Sequence, residues 1–445
     1  MIKIRPSIII ALWFLAAVGL GTCPANAQVR YPLPYPPKLA GGKKSVAHRT
    51  AEFLKPGPNR RDGVEIARTP PLVEFMYYPG QDYAGNPWCF RGVGCVRDGK
   101  YYSALCDHRA PGGTAMLYEY DTATKQFRLL VNTAKFLRSV GQITPGMKYS
   151  PGEVQTRIEF GRDGWLYYGT TRGSTRVTND ANDFRGEWVL RTQPGTGKTE
   201  VVRAFPVPKH CILASVLDPA RMIFYGGTAA GDYRVKDVRF FAVDVKSGKV
   251  IKTARNGFDR YVIFARSSGC LYWDGHKYDP RTNQITSSEA PHVRSATVET
   301  PQGIVYGTSH RKADIWAFDV RSEKLSWLGP GAVASQGYVA SLHADPTGRY
   351  LYYVPGAHGG AAKDGTPIVQ YDVKTRRRKV LGYLHAVFQK NTRYNLDGCF
   401  CSVLDERGEK LFISWDGFRD GQPRGMESSV LTVVHIPESE RQLSK

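Results

Sequence analysis

The stretch Tyr350-Leu351-Tyr352-Tyr353-Val354, followed after an insertion by Ile368-Val369-Gln370-Tyr371-Asp372, contains the pattern that decides the fold. An aromatic, β-branched run is followed by a turn, and a second run then ends in an acidic residue. The same pattern occurs seven times between Tyr101 and Ile436. Repetition of one short β-unit is typical of circular or stacked β-architectures.

The seven units share short runs of β-prone residues, bounded by Gly or Asp. The first runs are Lys100–Ser103, Trp165–Gly169, Met222–Gly226, Cys270–Trp273, Gly303–Gly307, Tyr350–Val354 and Lys410–Ser414. The second runs are Leu117–Asp121, Trp188–Arg191, Phe240–Asp244, Lys277–Asp279, Ile315–Asp319, Ile368–Asp372 and Leu431–His435. Without helical periodicity between them, these runs predict an all-β fold. Seven units close most economically into a single-domain seven-bladed β-propeller over residues 71–445, because a closed ring protects strand edges.

Five second runs end in an aspartate that precedes a polar turn. These residues are Asp121, Asp244, Asp279, Asp319 and Asp372. An Asp side chain in this position accepts hydrogen bonds from backbone N–H groups of the turn. We therefore expect a structural role for all five.

The amino terminus has the pattern of an export signal. Lys3 and Arg5 precede an apolar run, and Ala25-Asn26-Ala27 provides a cleavage site, so residues 1–27 are expected to be removed. The mature protein is then secreted or periplasmic, with no transmembrane segment. Residues 28–70 are rich in Pro, Gly and basic residues and predict an extended leader, after which Leu72–Tyr77 is a candidate for closing the last blade.

The chain is strongly basic, with a formal charge of +21. Removing residues 1–27 takes away Lys3 and Arg5 and no acid, so the mature charge is 21 − 2 = +19. Such a charge indicates a polyanionic partner. Because the chain carries an export signal, we expect an acidic polysaccharide instead of nucleic acid, bound by a monomer.

Seven cysteines remain after the signal. Cys89 and Cys95 are close enough in sequence for a small disulfide loop, with Cys106 as a rival partner. Cys399 and Cys401 are neighbours on one strand and cannot easily bond to each other. They can instead act as zinc ligands together with a histidine such as His210.

Several units place His, Tyr, Arg or Lys directly after a strand. The candidates are His108 and Arg109 in the first unit; Tyr168, Arg172, Arg176 and Arg185 in the second; Lys209 and His210 in the third; and His310 and His358 in later units. Together they predict a propeller mouth that binds a uronate carboxylate through cations and moves protons through His and Tyr. Hydrolysis would need two facing carboxylates, and few acids lie in these loops.

The stretches Tyr101–Tyr120, Gly164–Arg176 and Tyr350–Gly360 resemble secreted seven-bladed propellers of the ulvan-lyase type. This resemblance implies β-elimination on acidic polysaccharides, with His108 and Tyr168 as the catalytic pair and Arg185 or Arg176 on the carboxylate. It also implies a structural zinc ion, for which His210, Cys211, Cys399 and Cys401 match by residue type. The second histidine of such lyases is missing, because Lys125, Phe127 and Arg128 occupy its region.

Two other functions fit the same sequence. A non-catalytic propeller would bind acidic glycans or an envelope partner through the same basic mouth, and it would tolerate loss of His108 and Tyr168. A metal-dependent sugar lactonase would need Glu, Asp and Asn at the central channel, with Asn86, Asn182 and Asp183 as candidates.

Overall fold

The computed structural model describes residues 34–82, 88–108, 113–309, 313–357, 361–422 and 425–441. Strands within these ranges form seven sheets of four or five strands, and each sheet is one blade of a propeller. The prediction of an all-β, seven-bladed propeller is confirmed. The predicted signal segment, residues 1–27, lies outside the described residues.

The blades follow one another in chain order. Blade 1 contains Trp88–Cys89, Cys95–Arg97, Lys100–Asp107, Ala115–Asp121 and Gln126–Asn132; blade 2 contains Glu159–Phe160, Leu166–Gly169, Trp188–Thr192 and Thr199–Ala204; blade 3 contains His210–Asp218, Ile223–Ala230, Val238–Asp244 and Lys249–Arg255. Blade 4 contains Ile263–Phe264, Leu271–Trp273, His276–Asp279 and Gln284–Ser287; blade 5 contains Ser295–Ala296, Ile304–Thr308, Asp314–Asp319 and Lys324–Pro330. Blade 6 contains Val339–Ala344, Tyr350–Pro355, Pro367–Asp372 and Arg378–Tyr383; blade 7 contains Tyr394–Leu404, Lys410–Arg419 and Ser428–His435.

Helices are few and short among the residues that the structure describes. The α-helices are Thr133–Ser139, His385–Thr392 and Glu438–Arg441, and the 3₁₀ helices are Ala40–Gly42, Ala51–Leu54, Asp180–Asn182 and Ala362–Asp364. No helix among the described residues is long and apolar enough to cross a bilayer.

The amino-terminal segment closes the ring. Strand Leu72–Tyr77 pairs antiparallel with Ser428–His435, which places it in blade 7 as predicted. Within the predicted leader, Val46–His48 adds a further strand to blade 7, and Val64–Ile66 pairs with the last strand of blade 6. The two ends of the propeller chain are thereby joined in one sheet, which removes an exposed edge.

First strands lie near the ring axis and fourth strands at the rim. The first strand of blade 6 contacts the first strands of blades 5 and 7. In blade 3 every residue of the first strand is buried, whereas the fourth strand, Lys249–Arg255, exposes several of its residues. Apolar and aromatic side chains fill the space between neighbouring blades, as in the group that joins Tyr168, Trp188 and Leu213.

The turns that follow the second runs lie at one end of the blades, which we call the lower face. The aspartates that end the second runs hold these turns. In each case a carboxylate oxygen accepts from the backbone N–H two residues later, at 2.8 Å for Asp121, 3.0 Å for Asp244, 2.9 Å for Asp279, 2.8 Å for Asp319 and 2.8 Å for Asp372. The predicted structural role of these acids is confirmed. The opposite side, the upper face, carries the loops between second and third strands and the connections between blades.

The expected disulfide at Cys89 is wrong. All seven cysteines of the described residues are free thiols. Cys89 and Cys95 both face the strand Lys100–Asp107, but Cys89 lies opposite Cys106 and Cys95 opposite Tyr102. Those two positions are four residues, or about 13 Å, apart along that strand, which is too far for a bond between Cys89 and Cys95.

Candidate active site at the upper mouth

His108 and Glu153 form a hydrogen-bonded pair on the upper face. His108 directly follows the strand Lys100–Asp107 of blade 1, and its Nδ1 contacts Oε1 of Glu153. The Glu153 side chain is fully buried, whereas that of His108 is 39% exposed. With Nδ1–H donated to the carboxylate, Nε2 of His108 is left to accept a proton.

Glu153 is held rigidly on the long connection between blades 1 and 2. Its backbone N–H donates to Thr171 O at 3.0 Å, and Thr171 N–H donates back at 2.8 Å. Gln155 Nε2 donates to the second carboxylate oxygen at 2.8 Å. The preceding Gly152 permits this approach, because a Cβ there would lie 2.5 Å from the Asp107 carbonyl oxygen. The carboxylate therefore fixes the imidazole in one orientation.

Arg91 links this pair to blade 7. Its Nε lies 3.8 Å from Glu153 Oε1, and its Nη1 lies 3.9 Å from Asp416 Oδ2. Asp416 also accepts from the Phe90 backbone N–H at 2.8 Å. Burial raises the pKa of Asp416 to about 7, although Arg91 acts in the opposite direction. Arg91 thus carries a positive charge beside two acids that are already hydrogen-bonded.

A second arginine shares an aromatic neighbour with Arg91. The Arg91 guanidinium lies 4.6 Å from the Phe400 ring centroid, and that of Arg294 lies 5.9 Å from the same centroid. Arg294 Nε also donates to the Tyr338 hydroxyl. We call His108, Glu153, Arg91, Phe400, Arg294 and Tyr338 the mouth cluster. It combines an oriented base, two cations and a phenol within one set of contacts.

The structure corrects the prediction that Tyr168 takes part in catalysis. Tyr168 is fully buried between blades, where its hydroxyl pairs with Thr192 Oγ1 at 2.8 Å. Burial raises the pKa of Tyr168 further above its ordinary value. The side chain therefore serves packing and does not join the mouth cluster.

The predicted arginines of blade 2 occupy different environments. Arg172 is partly buried, and its Nη1 has no hydrogen-bond partner among the described atoms. Burial lowers the pKa of Arg172, but Cys211, Glu153 and Glu187 together raise it above its ordinary value. Arg185 is exposed and its side chain makes no ion pair with a described residue, so it does not join His108. Arg176 instead lines a separate cavity of about 530 Å³.

Lys209 and His210 also lie apart from the mouth cluster. Lys209 lines the same cavity as Arg176 and forms an ion pair with Asp180. His210 is 7% exposed, pairs with Thr228 Oγ1 at 2.9 Å and lies 3.5 Å from Asp237, while burial lowers its pKa. Arg109, His310 and His358 lie outside the described residues.

The residues predicted for zinc do not come together. His210 and Cys211 belong to blade 3, whereas Cys399 and Cys401 belong to blade 7. Cys401 accepts from Gly94 N–H at 3.3 Å and contacts the Tyr101 hydroxyl at 3.1 Å. These four residues do not fit one zinc ion.

A different group of described residues could hold a metal ion. Ligand atoms of Cys89, His108 and Glu153 all lie within 4.8 Å of one another. Cys89 Sγ lies 3.7 Å from Glu153 Oε1. Two such ligands on a tetrahedral zinc ion would be about 3.5 Å apart, from bonds of about 2.3 and 2.0 Å. This group overlaps the mouth cluster at two residues.

A buried carboxyl group lies behind the mouth cluster. Glu187 accepts from Thr170 Oγ1 at 2.8 Å and from the Tyr149 hydroxyl. Burial raises the pKa of Glu187 to about 8.

Sequence reasoning found His108 but missed Arg91, Glu153, Arg294 and Tyr338. Arg294 and Tyr338 directly precede the first strands of blades 5 and 6, so they occupy one equivalent position in two units. Superposing the seven repeats on their first strands would have exposed that position. Glu153 lies in the longest spacing between units, from Lys100 to Trp165, in a segment that has no counterpart in the other units.

No protein-family model matches the chain, and no curated protein matches it. Among solved structures it is similar to the RRP9 WD40 repeats, with 10% identity, a TM-score of 0.50, and coverage of 82% of this chain and 97% of that one. It is also similar to an oligogalacturonate lyase from Vibrio parahaemolyticus, with 10% identity, a TM-score of 0.49, and coverage of 89% and 98%. A chain of a mitotic checkpoint complex gives 11% identity, a TM-score of 0.49, and coverage of 86% and 95%. At 10% identity, the likeness to the RRP9 WD40 repeats shows the fold alone.

Proposed function

We propose that this protein is a polysaccharide lyase that acts outside the cytoplasm, as a monomer, on an anionic uronate-containing polysaccharide. The observation that carries the proposal is the His108–Glu153 pair beside two arginines that contact one phenyl ring. The resemblance to ulvan-lyase-type enzymes enters through His108 only, because Tyr168 and Arg185 do not join it.

Arg91 and Arg294 neutralise the uronate carboxylate. A guanidinium can donate two parallel N–H bonds to a carboxylate, which fixes its orientation. Neutralising this group makes the proton on the adjacent carbon more acidic, because negative charge that develops on the carboxylate is stabilised. Phe400 lies against both guanidinium groups and limits their hydration.

His108 Nε2 then removes that proton. The electron pair of the broken C–H bond forms a carbon–carbon double bond, and the bond to the glycosidic oxygen breaks. Tyr338 gives its hydroxyl proton to the departing oxygen and regains one from water, while His108 releases its proton to solvent. Arg294 Nε donates to the Tyr338 oxygen, which leaves the phenolic O–H as the donor.

Hydrolysis fits this site less well. A glycoside hydrolase needs two carboxyl groups that flank the scissile bond. Glu153 is buried and bonded to His108 and Gln155, and Asp416 is bonded to the Phe90 backbone. A lactonase centre fits less well too, because Asn182 pairs with Asn179 on an exposed 3₁₀ helix that Asp183 caps, while Asn86 lies outside the described residues.

The test is the ultraviolet absorbance of the unsaturated uronate product. Purified protein is mixed with ulvan, polygalacturonate, alginate or heparin, alongside His108→Ala, Tyr338→Phe and the matched control Tyr168→Phe. We expect absorbance to rise on one polymer, to be lost in the first two variants and to persist in Tyr168→Phe. A flat trace with retained binding would replace the lyase by a glycan-binding propeller.

A further inference from the structure

A second cavity opens on the upper face between blades 3 and 4. Its volume is about 720 Å³, within the range of about 300–1,000 Å³ that is usual for ligand sites. Its walls are formed by Lys236–Val238, Arg255–Tyr261, Trp273–Asp274, His276 and His292–Val293. The cavity shares no residue with the mouth cluster.

Some charged side chains of this cavity form ion pairs and others do not. Asp237 pairs with Arg239 at 2.8 Å, and Asp259 lies 3.6 Å from Arg260 and 3.8 Å from His292. Lys236 and Arg255 are exposed and make no ion pair with a described residue. An anionic group entering the cavity would therefore meet two exposed cations, of which Arg255 also interacts electrostatically with Asp237.

The cavity also offers a flat wall and acceptors for hydroxyl groups. The His276 ring stacks on Trp273, with centroids 5.8 Å apart and an angle of 13°. His276 Nδ1 pairs with the Asp274 backbone oxygen at 2.8 Å, which keeps the ring in place. The exposed Asp274 carboxylate can accept from sugar hydroxyls. A flat ring, a carboxylate and two cations together suit a sugar that itself carries an acid group.

The cavity adjoins the mouth cluster. Tyr261 and Arg260 line it, and both interact electrostatically with Arg294. On the channel side, the Arg157 guanidinium lies 4.1 Å from the Tyr261 ring and donates to Ala296 O at 2.7 Å. A polymer bound at Arg294 can thus extend into the cavity without leaving the upper face.

We propose that this cavity is a second subsite, which holds another acidic sugar of the same polysaccharide. The inference rests on the proposed function for the identity of the polymer. The protein then binds several sugar units of the polymer at once, and not only a terminal sugar. Lys236 and Arg255 are the side chains that bind the acid group.

The test compares two double variants that remove the same charge. Lys236→Gln with Arg255→Gln alters the cavity, whereas Lys246→Gln with Lys249→Gln alters exposed residues at the lower face of the same blade. Both are made in the His108→Ala protein, so that no polymer is cleaved. Binding of ulvan, polygalacturonate, alginate and heparin is then measured by calorimetry at fixed salt.

We expect the cavity variant to raise the Kd for the bound polymer by about tenfold or more, since two charge-assisted hydrogen bonds are lost, while the lower-face variant does not. Equal Kd values for the two variants, or no binding of any polymer, would overturn the inference. If wild-type protein shows no rise in absorbance but the cavity effect persists, the lyase proposal fails and the subsite stands.

Discussion

The Nδ1 atom of His108 is hydrogen-bonded to a Glu153 carboxylate that is wholly buried, although the imidazole itself is 39% exposed. One end of the ring is therefore fixed by the protein interior, while more than a third of the side chain is exposed to solvent. This arrangement gives a base one orientation and one tautomer before any substrate binds.

Glu153→Gln should lower kcat with little change in KM. Glu153 positions His108 and stabilises its protonated form, but it does not itself contact the polymer. We expect kcat to fall by about 10²-fold, because an amide cannot balance the imidazolium charge. Steady-state kinetics on the cleaved polymer measure both constants, and Glu153→Asp should recover part of kcat. A rise in KM at unchanged kcat would instead make Glu153 a binding residue.

Tyr338→Phe and Tyr168→Phe should differ in their effect on activity. Loss of the Tyr338 hydroxyl should lower kcat by about 10²-fold, because it removes the proton donor for the leaving oxygen, and it also removes the acceptor of the Arg294 Nε hydrogen bond. Loss of the Tyr168 hydroxyl should lower the free energy of unfolding by about 1 kcal/mol, because one buried hydrogen bond is broken. Urea unfolding and product absorbance separate the two effects. The reverse pattern would return Tyr168 to the active site.

Glu187→Gln should flatten the dependence of stability on pH. The pKa of Glu187 is raised from its ordinary value of 4.5 to about 8. The stability that the protonated carboxyl group contributes is therefore fully present below pH 4.5 and is lost as the pH rises toward 8. Glutamine does not ionise, so the variant should lose less stability than wild type between those values. Unfolding midpoints in urea at several pH values provide the measurement.

Glu200→Gln is the control for that experiment. Lys198 and Arg191 lower the pKa of Glu200, so its contribution changes only in more acidic solution. Its slope across the same range should match wild type. A wild-type slope in Glu187→Gln would show that burial of this carboxyl does not govern the pH dependence.

Zinc ions should inhibit the proposed lyase activity. Zinc held by Cys89, His108 and Glu153 would occupy Nδ1 of His108, which leaves the proton on Nε2 and removes the base. Activity should return when a chelator is added, and Cys89→Ser should need more zinc for the same loss. Magnesium is the matched control, because it prefers oxygen ligands. Activation by zinc would contradict the assignment of His108 as a free base.

Phe75→Ala should destabilise the propeller at its closure. Phe75 is fully buried on the amino-terminal strand of blade 7, with its ring 5.1 Å from Phe388 and 5.6 Å from Tyr394. We expect the free energy of unfolding to fall by about 3–5 kcal/mol. Leu129→Ala, on the rim of blade 1 with 48% of the residue exposed, is the control. Similar losses in urea unfolding would mean that the closing strand is not a special point of stability.

The propeller could be predicted because its signal is local and repeated. Each blade has its own β-prone runs, and each turn aspartate accepts hydrogen bonds from backbone groups no more than three residues away. The closing strand Leu72–Tyr77 was also accessible, because a ring of seven units leaves one edge to be filled. His108 was accessible because it follows such a strand.

The blade count, the lower-face turns and the place of His108 after a strand could be read from the amino-acid sequence, since they depend on residues close together in the chain. The tertiary structure was needed to place Glu153, Arg91, Arg294 and Tyr338 around one mouth, because four blades must meet around the axis to bring them together. It also decided that Tyr168 is a packing residue, since a strand's neighbours on both faces determine whether a hydroxyl is buried. Ring closure brings residues that are far apart in the chain into one site, and no pattern of neighbouring residues predicts that site.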